Sequence, residues 1–185
     1  QPETGIPPPP VRAETERKPL VLLVGDSMMM EGFGPVLQRT LRKRPDLDVV
    51  REGKYSTGLS RQDYFDWPAQ LEKLVEKYNP DMVVICMGAN DPQDIIDENR
   101  KRHHADSESW KTIYRSRAER LLAVATAKGA KAVWVGLPVM GKEPYSTRVR
   151  RLSELQKEAC ETYHAAFVDT VKVLADAQGN YTTFK

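Results

Sequence analysis

The chain has few of the residues that build metal centres and disulfide scaffolds. Its 185 residues include only two cysteines and three histidines. Cys86 lies in an apolar run typical of a buried strand and Cys160 in a helical pattern, so both are predicted to be free thiols that pack like small hydrophobic residues. Neither has the spacing of a metal ligand. The sequence therefore predicts no metal and no other cofactor.

Low net charge argues against a nucleic-acid-binding protein, and short apolar runs argue against a membrane-spanning one. The formal net charge is only +2, and no basic stripe interleaved with aromatic residues indicates a nucleic-acid partner. The longest apolar runs have the length of a strand, which is too short to span a bilayer. With 40% hydrophobic and 29% charged residues, the composition is that of an ordinary folded domain. We expect one such domain over residues 19–185.

The first 18 residues differ from the rest. Four consecutive prolines at 7–10 are followed by charged residues up to Lys18, a pattern that favours an extended polyproline tether. The chain begins with glutamine, which suits removal of an upstream signal or membrane anchor. The corresponding expectation is an extracytoplasmic protein, in the periplasm or cell envelope.

Continuous apolar runs alternate with helical patterns along the domain. Continuous rather than alternating apolarity indicates strands that are covered on both faces. The predicted strands span residues 20–24, 47–50, 82–87, 131–137 and 166–169. Strands that alternate with helices imply right-handed crossovers and a mainly parallel sheet, which predicts a three-layer α/β sandwich.

Three polar segments follow the first three predicted strands and so meet at the carboxyl edge of the sheet, where α/β sheets bind ligands. Gly25-Asp26-Ser27 comes first, and Ser27 is a candidate nucleophile at the start of a helix. Gly58 could offer a backbone N–H to an oxyanion, and Asn90 could offer its side-chain amide. The alternatives are that Ser27 caps the helix, that Gly53 takes the role of Gly58, and that Asn90 stabilises a turn.

These segments resemble a known family. Gly25-Asp26-Ser27, Gly58 and Gly88-Ala89-Asn90-Asp91, in this order, look like the first three sequence blocks of the SGNH (GDSL) hydrolases, and the resemblance covers about residues 18–184. Further segments resemble a bacterial envelope-associated branch. The resemblance implies a flavodoxin-like, five-stranded sheet of order 2-1-3-4-5 and metal-free hydrolysis of oxygen esters. It also implies that Ser27 is the nucleophile and that Gly58 and Asn90 complete the oxyanion hole.

The catalytic base is the part of this pattern that the 185 residues lack. The family carries an Asp-x-x-His block near its C-terminus, and no such block occurs here. His164 follows Glu161 by three residues but is expected at the opposite edge of the sheet, whereas His103 and His104 fall in a polar segment at the correct edge. We expect the block beyond Lys185, and little turnover by these 185 residues alone.

The predicted function is a serine esterase that acts on O-acyl groups, such as acetyl, of cell-envelope carbohydrate. Asp26, Asp91, Arg61 and Trp67 are candidate substrate-binding residues. Arg61, with Arg102 and other basic residues, could favour an anionic substrate, and Trp67 could stack on a sugar. Solvated charge and core packing are the respective alternatives. Two other functions remain open: a binding module that keeps the fold without activity, and an O-acyltransferase that uses the same serine.

Overall fold

The computed structural model describes residues 17–183. Its main sheet consists of five parallel strands: β1 (Leu20–Gly25), β2 (Asp48–Gly53), β3 (Met82–Cys86), β6 (Lys131–Val135) and β7 (Ala166–Val168). They lie side by side in the order β2-β1-β3-β6-β7. Counted along the chain, these five strands have the order 2-1-3-4-5, which confirms the expected topology.

Helices cover both faces of the sheet. They are α1 (Ser27–Met30), α2 (Phe33–Leu41), α3 (Trp67–Tyr78), α4 (Glu108–Thr126), α5 (Tyr145–Thr162) and α6 (Val171–Leu174). Helices α3, α4 and α5 pack side by side over the larger core cluster, which includes the buried Trp134 and Tyr114. Helix α2 packs Phe33, Leu37 and Leu41 against the other face. The three-layer α/β sandwich is therefore confirmed.

Local sequence signals explain where the longer helices begin. Asp66 caps α3 by accepting a hydrogen bond from the N–H of Ala69, and Pro68 occupies the first turn, where its missing N–H costs nothing. Ser107 caps α4 in the same way through the N–H of Trp110. These caps fix the residues at which α3 and α4 begin, and so they fix where the loops after β2 and β3 end. Both loops carry candidate site residues.

The face that carries α2 holds an apolar groove of about 860 Å³. Its floor includes Val84, Val133 and Val135 of the central strands. Side chains of α2 and Leu174 of the short α6 also line it. The groove lies over the sheet rather than at the carboxyl edge, so it is separate from the candidate site.

A small hairpin lies in the segment after β3 that the sequence indicates as a polar loop. Strands β4 (Ile95–Ile96) and β5 (Arg102–His103) pair antiparallel. Ile95 is fully buried in the core and His103 is 6% exposed. Strands of two residues are too short to produce a periodic signal, which is why the pattern predicts only a loop.

The expected tether over residues 1–18 lies almost wholly outside the described residues. Arg17 is described, and its guanidinium makes two hydrogen bonds to Asp81, at 2.7 and 2.9 Å. The folded domain thus extends to residue 17. No helix within residues 17–183 has the length and apolarity required to cross a membrane.

Candidate active site

Asp26 joins the turn after β1 to the loop after β3. Its side chain is fully buried; one carboxylate oxygen accepts the N–H of Met28 at 2.9 Å and the other accepts the N–H of Gly88 at 3.0 Å. Burial raises the pKa of this carboxyl, while the backbone donors act in the opposite direction. Both carboxylate oxygens of Asp26 accept backbone N–H groups, and the side chain has no exposed surface. Asp26 therefore positions the two loops, and its burial argues against the substrate-binding role expected from the sequence.

Ser27 is the first residue of α1 and is partly exposed. The cap of this helix is provided by Asp26 rather than by Ser27, so the alternative in which Ser27 serves as the cap does not hold. Within residues 17–183, the Ser27 hydroxyl has no hydrogen-bond partner. The hydroxyl is therefore uncommitted at the carboxyl edge of the central strand.

Asn90 and Gly58 meet on the neighbouring loops. The side-chain amide of Asn90 donates a hydrogen bond to the carbonyl oxygen of Thr57 at 3.0 Å. One amide hydrogen is thus used to fix the side chain, and the second remains available as a donor. A Cβ atom at Gly58 would lie 2.2 Å from a carboxylate oxygen of Asp91, so only glycine fits there. Gly53, the competing candidate, instead ends β2 beside Met30.

Asp91 connects the loop that carries Asn90 to the loop that carries Gly58. It is fully buried; one carboxylate oxygen accepts the N–H of Ser60 at 2.7 Å and the other accepts the hydroxyl of Tyr114 at 3.1 Å. The Ser60 hydroxyl donates in return to the backbone carbonyl of Asp91 at 2.8 Å. Burial raises the pKa of Asp91 to about 6. Like Asp26, this residue has no surface with which to bind substrate and serves to position the loops.

Two helical residues that sequence analysis missed complete this network. The side-chain amide of Gln156 on α5 donates to the hydroxyl of Tyr114 on α4 and to the carbonyl of Met87, each at 3.0 Å. Gln156 would also lie 2.7 Å from a Cβ atom at Gly88, which has a φ of +132°. The available signal was a polar residue on the apolar stripe of α5, where Val149, Leu152 and Ala159 are buried.

Trp67 supports the site from inside the core. It is 1% exposed, and its indole N–H donates to the hydroxyl of Thr57 at 2.9 Å. That hydroxyl donates in turn to the carbonyl of Lys54 at 2.6 Å. Since both faces of the indole are covered, Trp67 cannot stack on a sugar, and the alternative of core packing is correct.

Arg61 lies at the surface, where its guanidinium makes paired hydrogen bonds to Asp63, with closest distances of 2.9 and 2.8 Å. It belongs to the loop that carries Gly58. Its exposure leaves it able to contact a ligand, but its charge is already balanced by a neighbouring carboxylate.

None of the three histidines contacts Ser27 in the described part of the chain. His103 places its Nε2 atom 3.0 Å from Asp97, and His104 places its Nδ1 atom 3.1 Å from Asp94. His164 directly precedes the turn into β7, at the edge of the sheet opposite Ser27, as expected from the topology. A general base for Ser27 is therefore not assembled by the contacts within residues 17–183.

A parallel sheet of this order, with a serine turn after its first strand and glycine and asparagine loops after the next two, has the architecture of the SGNH (GDSL) hydrolases. Solved structures agree. Acetylxylan esterase Axe2 from Geobacillus stearothermophilus superposes with a TM-score of 0.60 at 18% identity, covering 89% of this chain and 87% of that one. A G-D-S-L family protein from Desulfitobacterium hafniense DCB-2 gives 0.61 at 17%, covering 89% and 84%. Esterase EstA from Pseudoalteromonas sp. gives 0.56 at 17%, covering 88% and 86%.

At these identities the likeness establishes the fold. The chain itself belongs to the family described as "Protein of unknown function (DUF459)", whose model matches residues 20–185. No curated protein matches the sequence.

Proposed function

We propose that this protein is a serine ester hydrolase in which Ser27 forms the acyl-enzyme. One observation carries the proposal: three loops far apart in sequence are tied together around an uncommitted serine. Asp26 ties the serine turn to Gly88. Asn90 and Asp91 tie the following residues of that loop to the segment at 57–60. Such fixed donors around a nucleophile favour acyl transfer, because they need no reorganisation when charge develops.

The reaction would proceed in two halves. The Ser27 oxygen attacks the ester carbonyl carbon while a base takes the hydroxyl proton, and the carbonyl oxygen becomes an oxyanion. The N–H groups of Ser27 and Gly58 and the free amide hydrogen of Asn90 are the proposed donors to it. Collapse of the intermediate breaks the ester bond and releases the alcohol, which receives the proton from the base. Water then attacks the acyl group by the same route and releases the carboxylic acid.

No histidine within residues 17–183 contacts Ser27 as a base would have to. His103 and His104 would have to leave Asp97 and Asp94 before either could serve. The SGNH resemblance instead predicts an Asp-x-x-His block, which the 185 residues do not contain.

For the substrate, we propose O-acetyl groups on carbohydrate. The support is that solved structures with this fold include acetylxylan esterases, of which Axe2 is one. An extracytoplasmic location, with a cell-envelope glycan as the polymer, remains a proposal that rests on the proline-rich segment.

The test is hydrolysis of 4-nitrophenyl acetate by the full-length protein. Ser27→Ala is expected to lower kcat by at least about 10³-fold, the scale of losing a nucleophile. Ser116→Ala, on the exposed side of α4, is the matched control and should keep the wild-type rate. A fluorophosphonate probe should modify the tryptic peptide that contains Ser27, as seen by mass spectrometry. A Ser27→Ala variant that retains full activity would refute the proposal.

A further inference from the structure

A cleft of about 400 Å³ adjoins the candidate active site. The loop after β2 contributes Arg61 and Asp63 to its lining, and the segment after β3 contributes Gln93, Asp94, Ile96 and Arg102. These are the same two loops that carry Gly58 and Asn90.

Gln93 connects the cleft directly to the candidate oxyanion hole. Its side-chain amide donates a hydrogen bond to the backbone carbonyl of Asn90, and its N–H donates to the carbonyl of Asp91 at 2.6 Å. Its own carbonyl accepts the indole N–H of Trp110 at 2.8 Å, which anchors this wall of the cleft to α4. Gln93 therefore links the lining of the cleft to the loop that carries Asn90.

The charges in the cleft are balanced. Arg61 pairs with Asp63 at 2.8 Å, and a guanidinium nitrogen of Arg102 lies 3.8 Å from Asp94. The pKa values of Asp63 and Asp94 are lowered, chiefly by hydrogen bonds from the Arg61 side chain and from the Ala105 backbone respectively, so both carboxyls are ionised at neutral pH. Two positive and two negative groups leave no net charge to select an anion, in contrast to the expectation that these arginines favour an anionic substrate.

The unused hydrogen-bonding groups of the cleft are guanidinium donors. Arg61 uses its Nε and Nη2 atoms on Asp63, which leaves Nη1 free among the described residues. Arg102 is too far from Asp94 for a hydrogen bond, so its guanidinium donors remain available. The carboxylates beside them already accept hydrogen bonds, Asp63 from Arg61 and Asp94 from Ala105, but each carboxylate oxygen can accept a second one. Because each sugar hydroxyl donates one hydrogen bond and accepts others, free guanidinium donors next to carboxylate oxygens fit a polyol.

We propose that this cleft is the subsite for a neutral sugar residue of the ester substrate, and that Arg61 and Arg102 are its specificity-determining residues. The inference rests on the proposed esterase function and adds to it the place where the carbohydrate binds and the absence of charge on the bound sugar residue. A volume of about 400 Å³ lies within the roughly 300–1,000 Å³ usual for small-molecule sites. Ile96, which is 37% exposed, supplies an apolar surface for the C–H face of a pyranose ring.

The experiment compares three acetyl esters on the full-length protein: 4-nitrophenyl acetate, O-acetylated methyl glucoside and O-acetylated methyl glucuronoside. Arg61→Ala and Arg102→Ala should each lower kcat/KM for the glucoside about tenfold or more, the effect of one lost hydrogen bond from a charged donor. Turnover of 4-nitrophenyl acetate, which has no sugar, should fall much less than turnover of the glucoside. The glucuronoside should be a poorer substrate than the glucoside.

Arg44→Ala is the matched control. Arg44 makes the same two-residue-spaced, paired contact with Asp46, at 2.9 and 2.6 Å, but lies before β2 at the opposite edge of the sheet. It should leave all three rates unchanged. Equal losses on all substrates in the Arg61 and Arg102 variants, no loss at all, or a preference for the glucuronoside would overturn the subsite while leaving the esterase proposal intact.

If the wild-type protein hydrolyses none of the esters, the proposed function fails. The subsite is then tested separately, by measuring whether the protein binds a sugar. Titration of methyl glucoside, followed by NMR of the arginine side chains, should then perturb Arg61 and Arg102 and leave Arg44 unchanged. The absence of a selective perturbation would overturn the inference.

Discussion

Replacing Asp91 with asparagine tests the buried carboxylate that joins the two oxyanion-hole loops. Its pKa is raised from an ordinary 3.8 to about 6, mainly by burial. Between these values the folded protein holds a proton that the unfolded chain has released. Stability must therefore fall as pH rises through this window, because the folded state is the one that binds more protons. Asparagine has the same shape and does not titrate.

The size of the effect follows from the two pKa values. The interval from 3.8 to about 6 corresponds to roughly 3 kcal/mol, since one pKa unit is about 1.4 kcal/mol. Part of this total lies outside the range from pH 4 to pH 6.5, because a group with a pKa of 3.8 is already more than half ionised at pH 4. Over that range the free energy of unfolding of the wild type, measured relative to Asp91→Asn, should decrease by roughly 2 kcal/mol. Contributions from other carboxyls largely cancel in this difference. A constant offset between the two proteins, caused by the altered contacts to Ser60 and Tyr114, does not affect the slope.

Urea unfolding at several pH values, followed by the fluorescence of the three buried tryptophans, measures this difference. Asp46→Asn is the control: Asp46 is exposed, and its hydrogen bond from Arg44 lowers its pKa. A lowered pKa gives stability that is lost as pH falls, so the control should show a small slope of opposite sign. Parallel curves for the wild type and Asp91→Asn would show that Asp91 does not titrate in this window and would refute the reasoning.

Two further substitutions test the loops above this carboxylate. Gly58→Ala should lower kcat for 4-nitrophenyl acetate by about 10²-fold or more, because the new Cβ atom would lie 2.2 Å from Asp91 and displace the loop. Gly53→Ala should lower kcat far less, because its close contacts are with the flexible Met30 side chain, while the Gly25 carbonyl oxygen lies 3.2 Å away. Equal rates in the two variants would contradict the proposed role of Gly58. Trp67→Phe should destabilise the fold by about 1–3 kcal/mol through loss of the hydrogen bond to Thr57, as measured by urea unfolding. A raised KM for the acetylated glucoside without loss of stability would restore a sugar-binding role for Trp67.

Much of the fold could be predicted because the sheet is buried on both faces. That environment requires continuous apolar runs, and the run at 20–24 agrees with β1 to within one residue. The position of Ser27 could also be predicted, since parallel strands place all their following loops at one edge. The family resemblance favoured Gly58 over Gly53 as the oxyanion donor, and that role stays a prediction. The coordinates add that a Cβ atom at Gly58 would collide with Asp91, a contact that no sequence pattern indicates.

The roles of the polar and aromatic residues around the site were harder to predict. Asp26, Asp91 and Trp67 have types that occur both in binding sites and in cores, and their complete burial decides for the core. Tyr114 and Gln156 lie on helices α4 and α5 and form a hydrogen bond to each other. The sequence signal for this network was a single polar residue, Gln156, on the apolar face of α5. The pairing of Arg61 with Asp63 is a rotamer choice at the surface, and no periodicity specifies it.

The arrangement of the site separates two demands that ester hydrolysis makes on a protein. Oxyanion donors must be held in fixed positions, and in the proposed mechanism that task falls to buried carboxylates that accept backbone N–H groups from neighbouring loops. A base has only to bring one ring nitrogen within hydrogen-bond reach of the serine, which a separate segment can do. The ties among the three loops involve residues 26–156 alone, so in the proposed mechanism the oxyanion donors are positioned independently of the base. Enzymes that lose a triad member retain a residual acceleration of about 10³–10⁴ from the hole and from substrate binding. If the proposal holds, loss of the base should therefore leave a residual activity that depends on Gly58 and Asn90.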